Sequence, residues 1–166
     1  IIQAADQAYL GNIDYGIGIL AEGYTSSAEI WETVRNETGF AVIDRFAVPS
    51  RTTTNFMVGG PEFSMEGVYL EDETMKPIVL KVREPNSEAS FEVTVIGVRE
   101  QSQITGFGLI TSQETIKKGL DIELPAPTYF VRLAEGVDPG LTSAALESAF
   151  LKNGLESVDL IQELHD

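Results

Sequence analysis

Cysteine is absent from this chain of 166 residues, and histidine occurs once, as His165. Without cysteine the chain can form no disulfide, offers no thiol nucleophile and cannot bind zinc through thiolates. A lone histidine near the carboxyl end has no evident partner for a metal site or a catalytic triad. We therefore expect no catalytic residue and no metal site. The sequence also lacks the G-x-x-x-x-G-K-[ST] pattern of a phosphate loop, and we expect no cofactor.

Positive charge is scarce, because 11 Lys and Arg residues stand against 26 Asp and Glu residues, for a formal net charge of -15. A field of that sign repels phosphate backbones and anionic lipid headgroups. We therefore expect no nucleic-acid partner and no docking on a membrane surface. Long apolar runs are lacking too, since none approaches the roughly 18 residues that a membrane span needs.

The composition is that of a folded domain, with 43% hydrophobic and 22% charged residues. The first third is predicted to form a β-α-β unit with parallel strands and a right-handed crossover. Ser26 and Glu29 form a capping box for a helix that ends at Gly39, and residues 40–49 follow as a strand. The preceding strand is predicted over 12–22 from its alternating apolar residues, Ile13, Tyr15, Ile17 and Ile19.

The middle of the chain has a different pattern. A polar, glycine-rich loop is predicted over 50–62, and three strands follow, over 63–72, 77–84 and 90–100. The turn PNSE joins the last two strands into an antiparallel hairpin within a small meander. Thr111 and Glu114 then form a second capping box, for a short helix that Gly119 ends.

The last third repeats the first theme. A strand is predicted from the alternation of Tyr129, Val131 and Leu133. Asp138 then caps a helix with Pro139 in its first turn, Gly154 ends it, and residues 155–161 supply a returning strand. The predicted buried stripe of this helix consists of Leu141, Ala145, Leu146, Ala149 and Phe150.

These elements predict an α+β fold in one domain of residues 1–166. Two β-α-β units would form a split ferredoxin-like, porter-type lobe, with an antiparallel β-rich insertion lobe between them. Lobe A would comprise about 1–49 plus 125–166, and lobe B about 50–124.

The phrases FAVIDRFAVPSR, FSMEGVYLED, FEVTVIGVRE, GLITSQET and TYFVRLAEGVDPGLTSAALESAFLKNGLESVDL carry a resemblance. In this order, over about 40–160, the chain resembles the extracytoplasmic domain of FtsX/MacB-type ABC transporter permeases. That resemblance implies a non-catalytic domain on the outer side of the cell membrane, with one membrane helix before Ile1 and another after Asp166. It also implies three partners: an ATP-binding subunit reached through the membrane helices, an extracytoplasmic protein or lipoprotein, and a second permease copy.

One loop is predicted to contact such a partner. The stretch RTTTNFMVGG places Phe56, Met57 and Val58 between polar and glycine residues. Apolar side chains at a loop tip either fold back or meet another surface, and Met and Phe suit an adaptable contact. The alternative is that Phe56 packs on its own lobe.

Other residues have simpler interpretations. Glu71, Asp72 and Glu73 lack the spacing of a calcium loop and are expected to be solvated carboxylates. Trp31 is expected in the core. Asn36 begins the triplet Asn-Glu-Thr, which would be glycosylated only in a secretory or archaeal surface setting. Three serines could be imagined as nucleophiles, namely Ser50, Ser64 and Ser112, but none lies in a G-x-S-x-G pattern. Ser112 is expected at the start of a helix.

Two further functions stay open at this level. One is a free-standing extracellular module that binds a peptide or small molecule, with a signal peptide or lipid anchor and no second membrane span. The other is an enzyme such as a hydrolase, which would cluster titratable groups in a cleft.

Overall fold

The computed structural model describes residues 1–52, 64–83, 88–100, 108–122, 124 and 128–159. The chain divides into two compact units, unit 1 from Ile1 to Pro125 and unit 2 from Ala126 to Asp166. The predicted hairpin of lobe B pairs into the same sheet as strands from residues 1–49. The assignment of 125–166 to lobe A stays a prediction.

Unit 1 is built on one mixed sheet, and the predicted α+β class is confirmed. Its order is β1-β7-β3-β6-β2-β4, with β5 also paired to β6. The strands are β1 (Ile2–Ala5), β2 (Ile17–Ala21), β3 (Phe40–Asp44), β4 (Thr74–Met75), β5 (Ile78–Arg83), β6 (Ser90–Arg99) and β7 (Leu109–Ser112).

Strand β6 is the longest and organises the sheet. One of its sides pairs with β3, while the other is shared, β5 taking its first half and β2 its second. Residues 95–99 of β6 are all buried, as expected of a strand covered on both faces. Gly97 allows β2 to lie close, because a Cβ there would come within 2.9 Å of Ile17 Cγ2.

The predicted parallel pairing in the first third is wrong. Strand β2 runs antiparallel to β6 and β3 runs parallel to it, so β2 and β3 are antiparallel, with β6 between them. The strand predicted over 12–22 is also shorter than predicted: Asn12 is the last residue of a helix, residues 13–16 are irregular, and the strand covers Ile17–Ala21. A helix between two strands does not define their direction when a third strand, distant in sequence, inserts between them.

The helices of unit 1 are α1 (Gln7–Asn12), α2 (Ser27–Asn36) and α3 (Gln113–Leu120). The predicted capping of α2 is confirmed: Ser26 Oγ accepts from the Glu29 amide at 3.3 Å, and the Glu29 carboxylate accepts from the Thr25 amide at 2.7 Å. Trp31 is 4% exposed, as predicted, and its indole Nε1 donates to the Tyr15 carbonyl at 2.9 Å. The buried face of α2 consists of Ile30, Trp31 and Val34.

Two predictions around α3 are corrected. The cap is Ser112, whose Oγ accepts from the Thr115 amide, whereas Thr111 belongs to β7 and donates to the Phe40 carbonyl at 2.7 Å. The helix ends at Leu120 and is followed by the capping residue Asp121, which has a left-handed φ of 53°, whereas Gly119 lies inside the helix. The expectation that Ser112 marks a helix start is confirmed.

The antiparallel hairpin is confirmed, since β5 pairs with β6 from Ile78↔Val95 to Arg83↔Ser90. The strand predicted over 63–72 is wrong, because the described residues 64–72 are turns and irregular chain. Two of their apolar side chains are nevertheless in the core: Met65 is 1% exposed and Val68 0%. Single side chains of this segment are buried although its backbone pairs with no strand. Alternation of apolar residues in the sequence does not distinguish this arrangement from a paired β-strand.

Unit 2 is described by its helix α4 (Pro139–Ala149) and a short 3-10 turn at Leu151–Asn153. The Asp138 cap is confirmed. The prediction that Gly154 ends this helix is wrong, because α4 ends at Ala149 and Gly154, at φ 69°, follows the 3-10 turn instead. The strand through Tyr129 is wrong, and no strand occurs within residues 128–159. The buried stripe is also wrong, because α4 has no buried residue and Leu141 is 75% exposed. A unit this short buries little of its surface.

No helix in the part of the chain that the structure describes has the length and apolar character to cross a membrane.

Candidate functional site

The predicted contact residues Phe56, Met57 and Val58 lie outside the described residues. The structure describes the chain up to residue 52 and again from residue 64, and the residues in these two stretches form a continuous set of contacts. We call this set the loop anchor. It consists of Ser50, Arg51, Thr52, Tyr69, Glu71 and Asp72.

Backbone hydrogen bonds bring the two sides of the anchor together. The Met65 amide donates to the Ala47 carbonyl at 2.7 Å, and the Leu70 amide donates to the Pro49 carbonyl at 3.0 Å. Val48 is 1% exposed and packs in the same core as Met65 and Val68. The chain that enters residues 53–63 is therefore held against the chain that leaves them.

The carboxylate of Glu71 connects the two sides of the loop anchor through hydrogen bonds. Its Oε2 accepts from the Arg51 amide at 3.0 Å, and its Oε1 accepts from Thr52 Oγ1 at 3.1 Å. Ser50 Oγ also donates to Oε1 in a short hydrogen bond. Three consecutive residues are thus bound by a side chain about twenty positions later in the chain.

Arg51 makes the second connection. Its Nη1 lies 2.7 Å from Asp72 Oδ1, and its guanidinium carbon stands 4.1 Å from the centroid of the Tyr69 ring. Asp72 Oδ2 accepts from the Tyr69 amide at 2.9 Å. The Arg51 guanidinium is therefore held by two contacts, an ion pair with the Asp72 carboxylate and a cation–π contact with the Tyr69 ring.

The hydrogen bonds favour the charged form of both carboxylates. The Arg51 amide, followed by the Ser50 hydroxyl, lowers the pKa of Glu71 to about 2. The pKa of Asp72 is lowered too, mainly by the Tyr69 amide and then by the Arg51 side chain. Both groups remain solvent-accessible, so the anchor is a surface structure whose individual ion pair contributes little.

The anchor joins the main sheet through Asp44, the last residue of β3. Asp44 is 4% exposed, and its carboxylate accepts from the Phe46 amide at 2.8 Å and from the Gly108 amide. The first bond caps the 3-10 turn Arg45–Ala47, which leads directly into the anchor. The start of the anchor is therefore tied to the end of a central strand.

The other candidate residues are not brought together. Ser50 is in the anchor, Ser64 is exposed, and Ser112 caps α3. Asn36 ends α2 and is exposed, so its side chain is accessible. His165 lies outside the described residues. Within the described ranges, no group of His, Asp and Glu residues is arranged to hold a metal ion.

A shallow depression of about 360 Å³ lies on the surface of α2. Three glutamates are among its lining residues, Glu29, Glu32 and Glu37. The pKa of Glu29 is lowered, first by the hydrogen bond from the Thr25 amide, because this carboxylate belongs to the helix cap. The depression thus includes a structural carboxylate.

Sequence reasoning missed the loop anchor and the role of Asp44. It treated Glu71 and Asp72 as solvated, whereas both accept backbone hydrogen bonds. The only local signal was the concentration of donors at 50–52 and of acceptors at 71–73, and no periodic pattern connects these two segments.

Comparison of the chain with protein-family models, with curated proteins and with solved structures gives no match.

Proposed function

We propose that this chain is a non-catalytic extracytoplasmic domain of an FtsX/MacB-like ABC transporter permease. In this role it couples ATP-driven movement of membrane helices to a protein or lipoprotein outside the cytoplasm, in export, lipoprotein handling or cell-wall regulation. The loop anchor is the observation that supports a contact role, because it fixes both ends of the segment that carries Phe56, Met57 and Val58. The resemblance of the ordered phrases supports the permease setting.

A domain that transmits movement to a partner needs a contact loop whose two ends are held rigidly by the rest of the domain. The anchor meets this requirement, since Glu71 binds three consecutive residues and Asp44 ties the preceding turn to β3. Binding residues on loops are commonly positioned by such a rigid scaffold. A movement of the sheet would then displace the base of the loop directly.

The finer fold prediction belongs to this proposal. A split ferredoxin-like lobe would place residues 125–166 with 1–49, and this arrangement rests on the resemblance. The antiparallel direction of β2 and β3 departs from a simple β-α-β unit. An experimental structure of the intact protein would test the lobe assignment through the position of α4.

The permease setting is tested by the gene. We expect an apolar span of roughly 20 residues before Ile1 and another after Asp166, with an ATPase encoded nearby. A start methionine or cleavable signal just upstream, together with a stop codon just downstream, would overturn the permease proposal. A free-standing peptide or small-molecule binding module would then take its place.

The contact role is tested separately by photo-crosslinking. A photoreactive amino acid in place of Met57 in the full-length protein should form cross-links to a second protein in cells, and the same substitution at Glu32 serves as the surface control. Replacing Phe56 and Met57 by Ser should remove partner capture while leaving the melting temperature within about 2 °C. A large fall in melting temperature would show instead that these side chains are core.

A further inference from the structure

The triplet Asn36-Glu37-Thr38 has no role in the proposed contact of the loop. It matches the acceptor sequence for N-linked glycosylation, Asn-x-Ser/Thr with a middle residue other than proline. The chain contains five asparagines, and Asn36 alone begins such a triplet. All three residues of the triplet are exposed, so the folded chain presents the whole acceptor sequence at its surface.

The backbone leaves helix α2 within this triplet. Asn36 is the last residue of α2, and Glu37 is extended, with φ -120° and ψ 139°. Residues 38–39 form a turn, and Gly39, at φ 89°, leads into β3. The triplet therefore lies on a surface connection between a helix and a strand, which is the setting expected of a glycosylated asparagine.

The two side chains that the modification requires are accessible. Asn12 ends α1 as Asn36 ends α2, and its side-chain amide donates to the Ala8 carbonyl at 2.8 Å. Among the residues that the structure describes, the Asn36 side chain makes no such hydrogen bond. Thr38 Oγ1 accepts from Lys118 Nζ at 3.4 Å, which leaves its hydroxyl proton for another acceptor.

The surface beside Asn36 has room for a sugar. Asn36 lines the depression of about 360 Å³ on α2, together with Glu32, Thr33 and Glu37. Carboxylate and hydroxyl oxygens of these residues can accept hydrogen bonds from sugar hydroxyls. The apolar face of α2 is buried in the core, so a glycan on Asn36 covers a polar surface and displaces no core side chain.

We propose that Asn36 carries an N-linked glycan. The Nδ2 nitrogen forms a bond to the anomeric carbon of the first sugar, and the bond from that carbon to a phosphate oxygen of a lipid-linked oligosaccharide breaks. The lipid phosphate or pyrophosphate leaves with the electron pair of the broken bond, and the proton lost from Nδ2 passes to a base of the transferase. This inference rests on the proposed extracytoplasmic location, because such transfer occurs on that side of the membrane.

The test is peptide mapping by mass spectrometry of the full-length protein, purified from the membranes of its own organism. The peptide that contains Asn36 should carry the mass of a glycan, and fragmentation should place the glycan on this residue. Recovery of the peptide in its unmodified form alone would overturn the inference.

Protease treatment of intact spheroplasts separates this failure from failure of the proposed function. Digestion of the domain from outside would place it on the extracytoplasmic side, and an unmodified Asn36 would then overturn the glycosylation alone. Protection of the domain until the cells are broken, together with an unmodified Asn36, would overturn both the glycosylation and the proposed location.

Substitutions at residue 38 test whether the triplet directs the modification. Thr38→Ser keeps a hydroxyl and should retain the glycan, whereas Thr38→Val keeps the shape without the hydroxyl and should lose it, as should Asn36→Gln. Because these positions are exposed, all three variants should melt within about 2 °C of the parent chain. A glycan retained on Asn36 in Thr38→Val would overturn the assignment to this acceptor sequence.

Discussion

At the scale of single residues, two buried threonines of unit 1 form hydrogen bonds with groups distant in sequence. Thr111 Oγ1 donates to the Phe40 carbonyl, and the Gly39 amide donates to Thr115 Oγ1 at 2.9 Å. These bonds tie β7 and α3 to the start of β3. Since an unpaired buried polar group costs more than a typical hydrogen bond contributes, such pairs help to select one arrangement of the sheet.

Two glycines at equivalent helix positions differ in the space that is available for a Cβ atom. Gly119 is the penultimate residue of α3, and a Cβ there would stand 2.5 Å from Phe91 Cγ. Gly11 is the penultimate residue of α1, and a Cβ there would stand 3.2 Å from Cζ of the flexible Arg35 side chain. We expect Gly119→Ala to lower the free energy of unfolding by about 1–3 kcal/mol through overpacking.

Gly11→Ala is the matched control. Its free energy of unfolding should be unchanged or raised by up to about 1 kcal/mol, because alanine has the higher helix propensity. Urea unfolding of both variants measures the difference. A stabilising effect of Gly119→Ala would show that α3 does not pack on Phe91.

At the scale of elements, the loop anchor responds to pH with a defined sign. The folded pKa of Glu71, about 2, lies below its ordinary value of 4.5, so the carboxylate form is favoured in the folded chain. Its stabilising contribution is complete above pH 4.5 and is lost as pH falls from there towards 2. We expect Glu71→Gln to be less stable than the parent chain near neutral pH, with a difference that narrows through this window.

The measurement is urea unfolding of both chains over that pH range, with a direct titration of the Glu71 carboxyl by nuclear magnetic resonance. Glu73→Gln is the control, because Glu73 is an exposed carboxylate two positions away that takes no part in the loop anchor. A pH-independent difference between Glu71→Gln and the parent would contradict the assigned role of the charge.

Three elements with local determinants were predicted correctly. The Ser26 and Asp138 caps and the β5–β6 hairpin depend on residues a few positions apart, and all are confirmed. The strands through Val68 and Tyr129 were wrong, because alternation indicates a strand only where a partner strand is available. The loop anchor was missed for a related reason, as its donors and acceptors are about twenty residues apart.

At the scale of the whole molecule, the two units differ in how much they bury. Helix α2 of unit 1 has three buried residues, whereas α4 of unit 2 has none. Protection from hydrogen exchange follows burial and local contact density. We expect the amides of Pro139–Ala149 to exchange about tenfold or more faster than those of Ser27–Asn36.

Hydrogen exchange followed by mass spectrometry compares these two helices within one sample, so that α2 is the internal control. Equal protection of α2 and α4 would contradict the prediction and would show that the apolar residues of α4 are covered. Leu141 is 75% exposed, so we expect Leu141→Ser to change the free energy of unfolding by no more than about 0.5 kcal/mol. A clear loss of stability in this variant would also show that α4 is covered.

The sequence by itself determined the α+β class, the caps of α2 and α4, the hairpin and the place of Trp31 in the core. These features depend on periodicity and on hydrogen bonds between near neighbours. Only the tertiary structure decided that β2 and β3 are antiparallel, that β1 pairs with β7, and that Glu71 holds residues 50–52. The physical reason is that each of these depends on groups far apart along the chain, whose meeting is selected by packing of the whole sheet.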